Sequence, residues 1–137
     1  MLKQALAKNG LIAILRGLRP HEAQAIGKVL YEEGFRTLEV PLNSPQPYES
    51  IRILRSTLPA DCLVGAGTVL TAQQVEQVKA AGGQVIVMPH SDPSVLRAAK
   101  AAGLYLSPGV ATPTEAFAAL AEGADVLKMF PAEQMGP

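Results

Sequence analysis

Short aliphatic runs alternate with amphipathic stretches along the whole chain. The runs cover residues 11–15, 37–42, 63–70, 85–88, 105–110 and 126–130. They are nearly continuous in Val, Ile and Leu and do not alternate with polar residues. This is the pattern of strands buried on both faces, as in a parallel sheet. Between them lie helix signals over residues 20–34, 47–58, 71–82, 91–103 and 112–123. Proline near the first turn, Ser or Thr at the start and Gly just past the end punctuate these stretches. Glu-Glu-Gly, Ala-Ala-Gly (twice) and Ala-Glu-Gly close four of the five.

The strand starts at 11, 37, 63, 85, 105 and 126 have a mean spacing of 23 residues. The chain therefore reads as a βα repeat with six strands and five helices. Right-handed parallel crossovers build either an open doubly wound sheet or a closed barrel. No linker, low-complexity tract or second domain interrupts the repeat, so residues 1–137 are expected to form one α/β domain.

Composition narrows the function classes. Twelve Lys and Arg balance twelve Asp and Glu, which leaves no electrostatic footprint for nucleic acid or an anionic membrane. Hydrophobic residues at 48% against 18% charged supply a real core and argue against disorder. Tryptophan is absent and aromatics are 4%, so that core is aliphatic and alanine-rich. Cys62, the single cysteine, cannot make an internal disulfide, and its solitude fits a reducing compartment. No apolar run approaches the roughly 18–20 residues that span a bilayer. The opening MLKQALAKNG lacks the apolar core of a signal peptide.

In parallel α/β folds, ligands sit at the C-terminal ends of the strands. The polar residues there are Arg16 after the first strand, Glu39 and then Asn43-Ser44 on the second, Thr68 after the third, and His90 after Pro89 on the fourth. Ser107-Pro108-Gly109 lies on the fifth and Lys128 on the sixth. Lys128 interrupts Val-Leu-Lys-Met-Phe. An ammonium among aliphatics is costly, so its pKa is expected to fall or the group to find a partner. A neutral amine adds to carbonyls and forms a Schiff base. The alternative is a strand-end lysine whose amine reaches solvent. Glu39 interrupts Thr-Leu-Glu-Val-Pro in the same way. It reads either as half of a structural Lys–Glu pair or as a carboxylate that moves protons beside a Schiff base.

The remaining candidates are weaker. Arg16 can grip a carboxylate or phosphate with its fork, or be an ordinary loop arginine. Thr68 follows Gly65-Ala66-Gly67, where glycines permit close approach; the segment lacks the third glycine of a dinucleotide fingerprint. Asn43 and Ser44 can equally form the turn before Pro45. His21 and His90 are not at metal-ligand spacing, and no carboxylate cluster accompanies them, so no metal is expected. Cys62 has no activating neighbour in the sequence.

Five blocks in order carry a family resemblance: Leu-Ile-Ala-Ile-Leu-Arg-Gly, Leu-Glu-Val-Pro-Leu-Asn-Ser-Pro, Val-Gly-Ala-Gly-Thr-Val-Leu, Ser-Pro-Gly-Val-Ala-Thr-Pro-Thr-Glu-Ala and Leu-Lys-Met-Phe-Pro-Ala-Glu. Together they resemble the KDPG/KHG aldolases, most closely the 2-dehydro-3-deoxy-6-phosphogalactonate type. The resemblance implies an eightfold (β/α) TIM barrel and a class I lyase without metal or other cofactor. Its substrate would be a phosphorylated keto-deoxy sugar acid, cleaved to pyruvate and D-glyceraldehyde 3-phosphate. Lys128 would form the Schiff base and Glu39 would be the general acid and base. Arg16 and Thr68 would hold the pyruvate end, and Pro89, Pro108 and Phe130 would shape the pocket. A cytoplasmic homotrimer is the implied assembly.

Asn43 stands where the gluconate type carries arginine, while Phe-Pro-Ala-Glu resembles the gluconate type. The resemblance places the phosphate-holding loops after strands seven and eight, beyond the six strands read here. Eight repeats need roughly 185–200 residues. Residues 1–137 alone are therefore expected to be a partial barrel with little activity, with the enzyme function belonging to the intact protein. Two alternatives are an isomerase or epimerase in which Lys128 acts only by its charge, and a non-enzymatic folding or assembly remnant.

Overall fold

The structure is a computed structural model that describes residues 2–136. In chain order its elements are α1 (Leu2–Asn9), β1 (Ala13–Ile14), α2 (Pro20–Glu32), β2 (Thr37–Pro41), α3 (Pro47–Thr57), β3 (Leu63–Gly67) and α4 (Ala72–Ala80). They continue with β4 (Val85–Val87), α5 (Pro93–Ala101), β5 (Tyr105–Ser107), β6 (Gly109–Val110), α6 (Pro113–Ala121), β7 (Lys128–Met129) and α7 (Ala132–Met135).

Strands β1 to β5 pair in sequence order, all parallel, and β6 pairs with β7 in parallel. The two sheets are stitched together. Asp125 and Val126 both donate their N–H to the Leu106 carbonyl, and Lys128 N–H donates to Pro108 at 2.8 Å.

Strand alternation divides the interior in two. Leu38, Val40, Val64, Ala66, Ile86 and Leu106 pack under the helices, against residues such as Ile51, Leu54, Val75, Val78 and Leu96. Leu63, Val85 and Val87 face the other way and meet Leu2 and Ala5 of α1. Helices α2 to α6 thus supply one face only, and the opposite face is the concave interior. This is the wall of a partial βα barrel, which settles the alternatives left by the repeat against a doubly wound sheet.

The structure alters several details of the sequence reading. No element was expected before the first strand, yet α1 lies there. Its Leu2 and Ala5 are buried at the base of the interior, and Lys8 pairs with Asp61 at 3.1 Å. The first strand is only two residues long, against five expected. The third stops at Gly67 because Thr68 adopts φ +56, a left-handed conformation that no strand can hold. The fifth is cut by Pro108, whose ring nitrogen has no hydrogen to give the ladder. The sixth narrows to Lys128–Met129, and a short α7 follows it where no helix was expected.

The five expected helices are present, with the expected starts. Thr71 accepts from Gln74 N–H, and Thr112 accepts from Glu115 N–H while Glu115 reaches back to Thr112. In the fourth of them the cap is Asp92, one residue after the expected Ser91.

Candidate active site

A cavity of about 280 Å3 opens on the concave side of the sheet. Its wall is apolar: Leu6 from α1, Ile12 and Ile14 around β1, Val87 of β4, and Val126 and Leu127 before β7. Three side chains with polar atoms interrupt it, Glu39 of β2, Ser107 of β5 and Lys128 of β7. An apolar hollow with a few convergent polar groups is the general form of a small-molecule site. Strand alternation brings Glu39 and Ser107 inward, since their neighbours Leu38, Val40 and Leu106 pack under the helices; Lys128 reaches the cavity together with Val126 and Leu127 before it.

Glu39 is 2% exposed. Among the described residues its Oε2 is fully enclosed and has no hydrogen-bond partner. Burial pushes the carboxyl up to about 7, against the opposing pull of the Lys128 and Arg16 charges. At neutral pH such a group is present in both forms, which suits it to give and take protons.

Lys128 is half-buried. Its Nζ lies 4.9 Å from the centroid of the Phe130 ring. The expected alternatives for the Lys–Glu combination resolve in one respect. The two side chains line the same cavity, but they do not form an ion pair, and the ion pairs present elsewhere are surface contacts. A stabilising structural bridge is therefore not what holds them.

The other expected residues fall in four places. Phe130 adjoins Lys128 and also lines a neighbouring groove of about 130 Å3 with Pro89, His90, Ser91 and Glu115. Pro108 is buried and accepts the backbone N–H of Lys128, so it fixes the strand that carries the amine. Arg16 is exposed, donates from Nη1 to Asn43 Oδ1 at 2.9 Å, and lines a separate hollow with Gly17, Glu22 and Ile26. Thr68 sits in its left-handed conformation just past β3 and is half-buried. Neither Arg16 nor Thr68 lines the Glu39–Lys128 cavity.

Three further residues line the cavity without standing out in the sequence. Ser107, 3% exposed, lies at a strand end and lines the cavity. Its signal was parity: it is the register partner of Val87 and shares its inward face. Leu6 and Gly10 come from the unexpected N-terminal helix and the turn after it.

Residues 2–137 match the family model described as KDPG and KHG aldolase. The chain belongs to that family. Among the curated aldolases it matches, a probable 2-dehydro-3-deoxy-6-phosphogalactonate aldolase of Rhizobium meliloti is 53% identical over 93% of this chain and 60% of that protein. A solved structure described as native KDPGal superposes with a TM-score of 0.88 at 45% identity, over 92% of this chain and 61% of the other. The Legionella pneumophila KDPG aldolase, solved with pyruvate captured as a covalent carbinolamine intermediate, superposes with a TM-score of 0.82 at 32% identity. That match covers 91% of this chain and 60% of the other. The chain thus spans about 60% of the length of the aldolases it matches, and over that span it has their fold.

Proposed function

We propose that the full-length protein is a class I aldolase that cleaves 2-dehydro-3-deoxy-6-phosphogalactonate to pyruvate and D-glyceraldehyde 3-phosphate, with Lys128 as the Schiff-base amine and Glu39 as the general acid and base. The observation that carries this reading is the pairing of one lysine and one carboxyl of pKa about 7 in an apolar hollow, without a bridge between them. The family supports it, as does the carbinolamine held by the Legionella relative.

The chemistry follows from these groups. The unprotonated Lys128 amine adds to the C2 ketone, and the carbinolamine takes a proton from solvent and loses water to give an iminium. Ionised Glu39 takes the proton of the C4 hydroxyl. The C3–C4 bond breaks, its electron pair moves toward the iminium to form an enamine, and the aldehyde departs. The proton on Glu39 passes to C3. Water then hydrolyses the iminium, which releases pyruvate, restores the amine and returns a proton to solvent. No external cofactor enters these steps. Arg16 and Thr68, which stand outside the cavity wall, would reach the carboxylate end from the strand ends, and Pro89, Pro108 and Phe130 would shape the surround, as the family resemblance implies. In the apolar setting of the cavity, each charge separation is felt more strongly than in water.

The epimeric substrate, 2-dehydro-3-deoxy-6-phosphogluconate, is the second reading. Phe130-Pro131-Ala132-Glu133 favours it, and Asn43 favours the galactonate. A cytoplasmic homotrimer completes the proposal. It is supported by the family resemblance.

The test is reduction of the full-length protein with borohydride in the presence of pyruvate, followed by peptide mass analysis. A reduced pyruvyl adduct on Lys128 is expected. Solvent proton exchange without any adduct would replace the aldolase reading with the isomerase one. Turnover of the two epimers by the same preparation then decides the substrate.

A further inference from the structure

Two glycines of β3 face the concave interior beside Glu39, and they are glycines for different reasons. Glu39 is the direct register partner of Gly65 across β2 and β3, and Pro41 is the partner of Gly67. A Cβ added at Gly65 would lie 2.7 Å from the Val85 carbonyl carbon and closer still to its oxygen. That conflict is with backbone, so Gly65 is fixed by the packing of the sheet. A Cβ added at Gly67 would meet something else. It would lie 2.6 Å from Glu39 Oε1 and closer still to Cδ and Oε2, so the whole carboxyl occupies the space where a side chain would be. The backbone of Gly67 lies outside the left-handed region, so conformation does not demand glycine there.

The same carboxyl has a second peculiarity. Among the described residues no side chain or backbone N–H holds Oε2. A buried carboxyl is usually located by hydrogen bonds. Here shape does that work: the floor of the seat is the bare Cα of Gly67, and the side chain is confined from that side by contact alone. We propose that Gly67 is a positioning residue for the proton-transfer group, setting where the Glu39 carboxyl sits relative to the Lys128 amine. This inference rests on the aldolase reading above.

A methyl group at position 67 would push the carboxyl off its seat while leaving the Lys128 strand untouched. The step that needs only the amine would then survive, and the step that needs Glu39 would fail. Formation of the pyruvyl adduct belongs to the first kind. Exchange of the pyruvate methyl protons with solvent belongs to the second: on the iminium, Glu39 takes a methyl proton, the C–H pair forms the enamine, and the carbon is reprotonated.

The experiment uses full-length protein and four forms: wild type, Gly67→Ala, Glu39→Asp and the double variant. Gly67→Ala is expected to keep borohydride trapping within a few-fold of wild type. Its methyl-proton exchange into deuterated water, followed by NMR, should fall about 100-fold, the scale of a lost general base. Glu39→Asp withdraws the carboxyl by one methylene and makes room for the added methyl. The double variant is therefore expected to exchange at least about tenfold faster than Gly67→Ala alone, a coupling that independent sites do not show.

Exchange in Gly67→Ala within threefold of wild type, with an unchanged pH profile, would overturn the inference. So would penalties that simply multiply in the double variant. Should Gly67→Ala fail to fold while the double variant folds and exchanges, the seat is supported; failure of both makes Gly67 a packing requirement only. Absence of an adduct in the wild type is a separate result, and defeats the aldolase reading itself.

Discussion

Lys128 and Phe130 lie two residues apart at the last described strand, with the lysine nitrogen 4.9 Å from the centre of the aromatic ring. Phe130 thereby stands between the amine and the adjoining groove that contains Pro89 and His90. A cation against a ring face gains on the order of 0.5–1 kcal/mol at a partly exposed site. Replacing Phe130 with Leu keeps the apolar wall but removes that hold on the amine. The expected outcome is a KM for the sugar acid raised by roughly two- to fivefold, with the pyruvyl adduct still formed on Lys128. Steady-state kinetics and trapping read the two effects separately.

Lys128→Arg retains the positive charge but not an amine able to condense with a ketone. Turnover of the full-length protein should drop by on the order of 1,000-fold or more, and borohydride with pyruvate should leave no adduct. If the arginine variant turned over at a tenth of the wild-type rate, Lys128 would be acting by charge alone.

Glu39 links activity to pH. It works as a base when ionised, so log kcat for cleavage should rise with pH and level off above about 7, the value to which burial pushes it. Glu39→Gln should lower turnover about 100-fold or more and abolish this inflection.

The same carboxyl affects stability with a definite sign. Its folded-state value of about 7 exceeds the ordinary 4.5, so the folded protein binds the proton more tightly than the unfolded chain. Stability is then full below about 4.5, declines as pH rises through that window, and is flat above about 7. The loss across the window is about 3 kcal/mol, from roughly 1.4 kcal/mol per pKa unit. Glu39→Gln should remove that slope and leave the protein more stable than wild type at pH 8, as read by urea unfolding at several pH values.

Gly65→Ala should behave unlike any change at position 67. Its added methyl meets the Val85 backbone, which cannot move without disturbing the β3–β4 pairing. A destabilisation of about 3 kcal/mol is expected, with no rescue by Glu39→Asp. Thermal unfolding of the two variants measures this.

Asn43→Ala releases the Arg16 guanidinium from its 2.9 Å hydrogen bond. A net bond of this kind contributes about 1 kcal/mol. The KM for the sugar acid should rise by roughly fivefold with little change in kcat, since Arg16 is proposed to bind and not to react.

Much of the architecture was legible because it is written locally. Uninterrupted aliphatic runs such as Leu63-Val64 and Val85-Ile86-Val87 mark strands covered on both faces, and caps such as Thr112 with Glu115 mark the turns into helices. Lys128 and Glu39 stood out for the same reason, as ionisable residues in strands that otherwise reject charge. What misled the reading was also local. Thr68 looks like a strand residue by its branching but takes a left-handed turn, and the run around Pro108 looks continuous although proline breaks its ladder. The N-terminal segment Leu2–Asn9 has Leu2, Ala5 and Leu6 at helical spacing but is too short to be stable as a helix alone, and acquires its place by burying Leu2 and Ala5 at the base of the interior.

The sequence by itself determined the βα repeat, the aliphatic core and the two ionisable residues that core must accommodate, because burial preference and capping act over a few neighbouring positions. Only the tertiary structure decided that Glu39, Ser107 and Lys128, drawn from three different strands, face one hollow without bridging. It also decided that the Glu39 carboxyl occupies the space a side chain at Gly67 would fill. Those relationships depend on the parity and curvature of strands far apart in the chain, and parity becomes a direction only when the strands curve around a common interior.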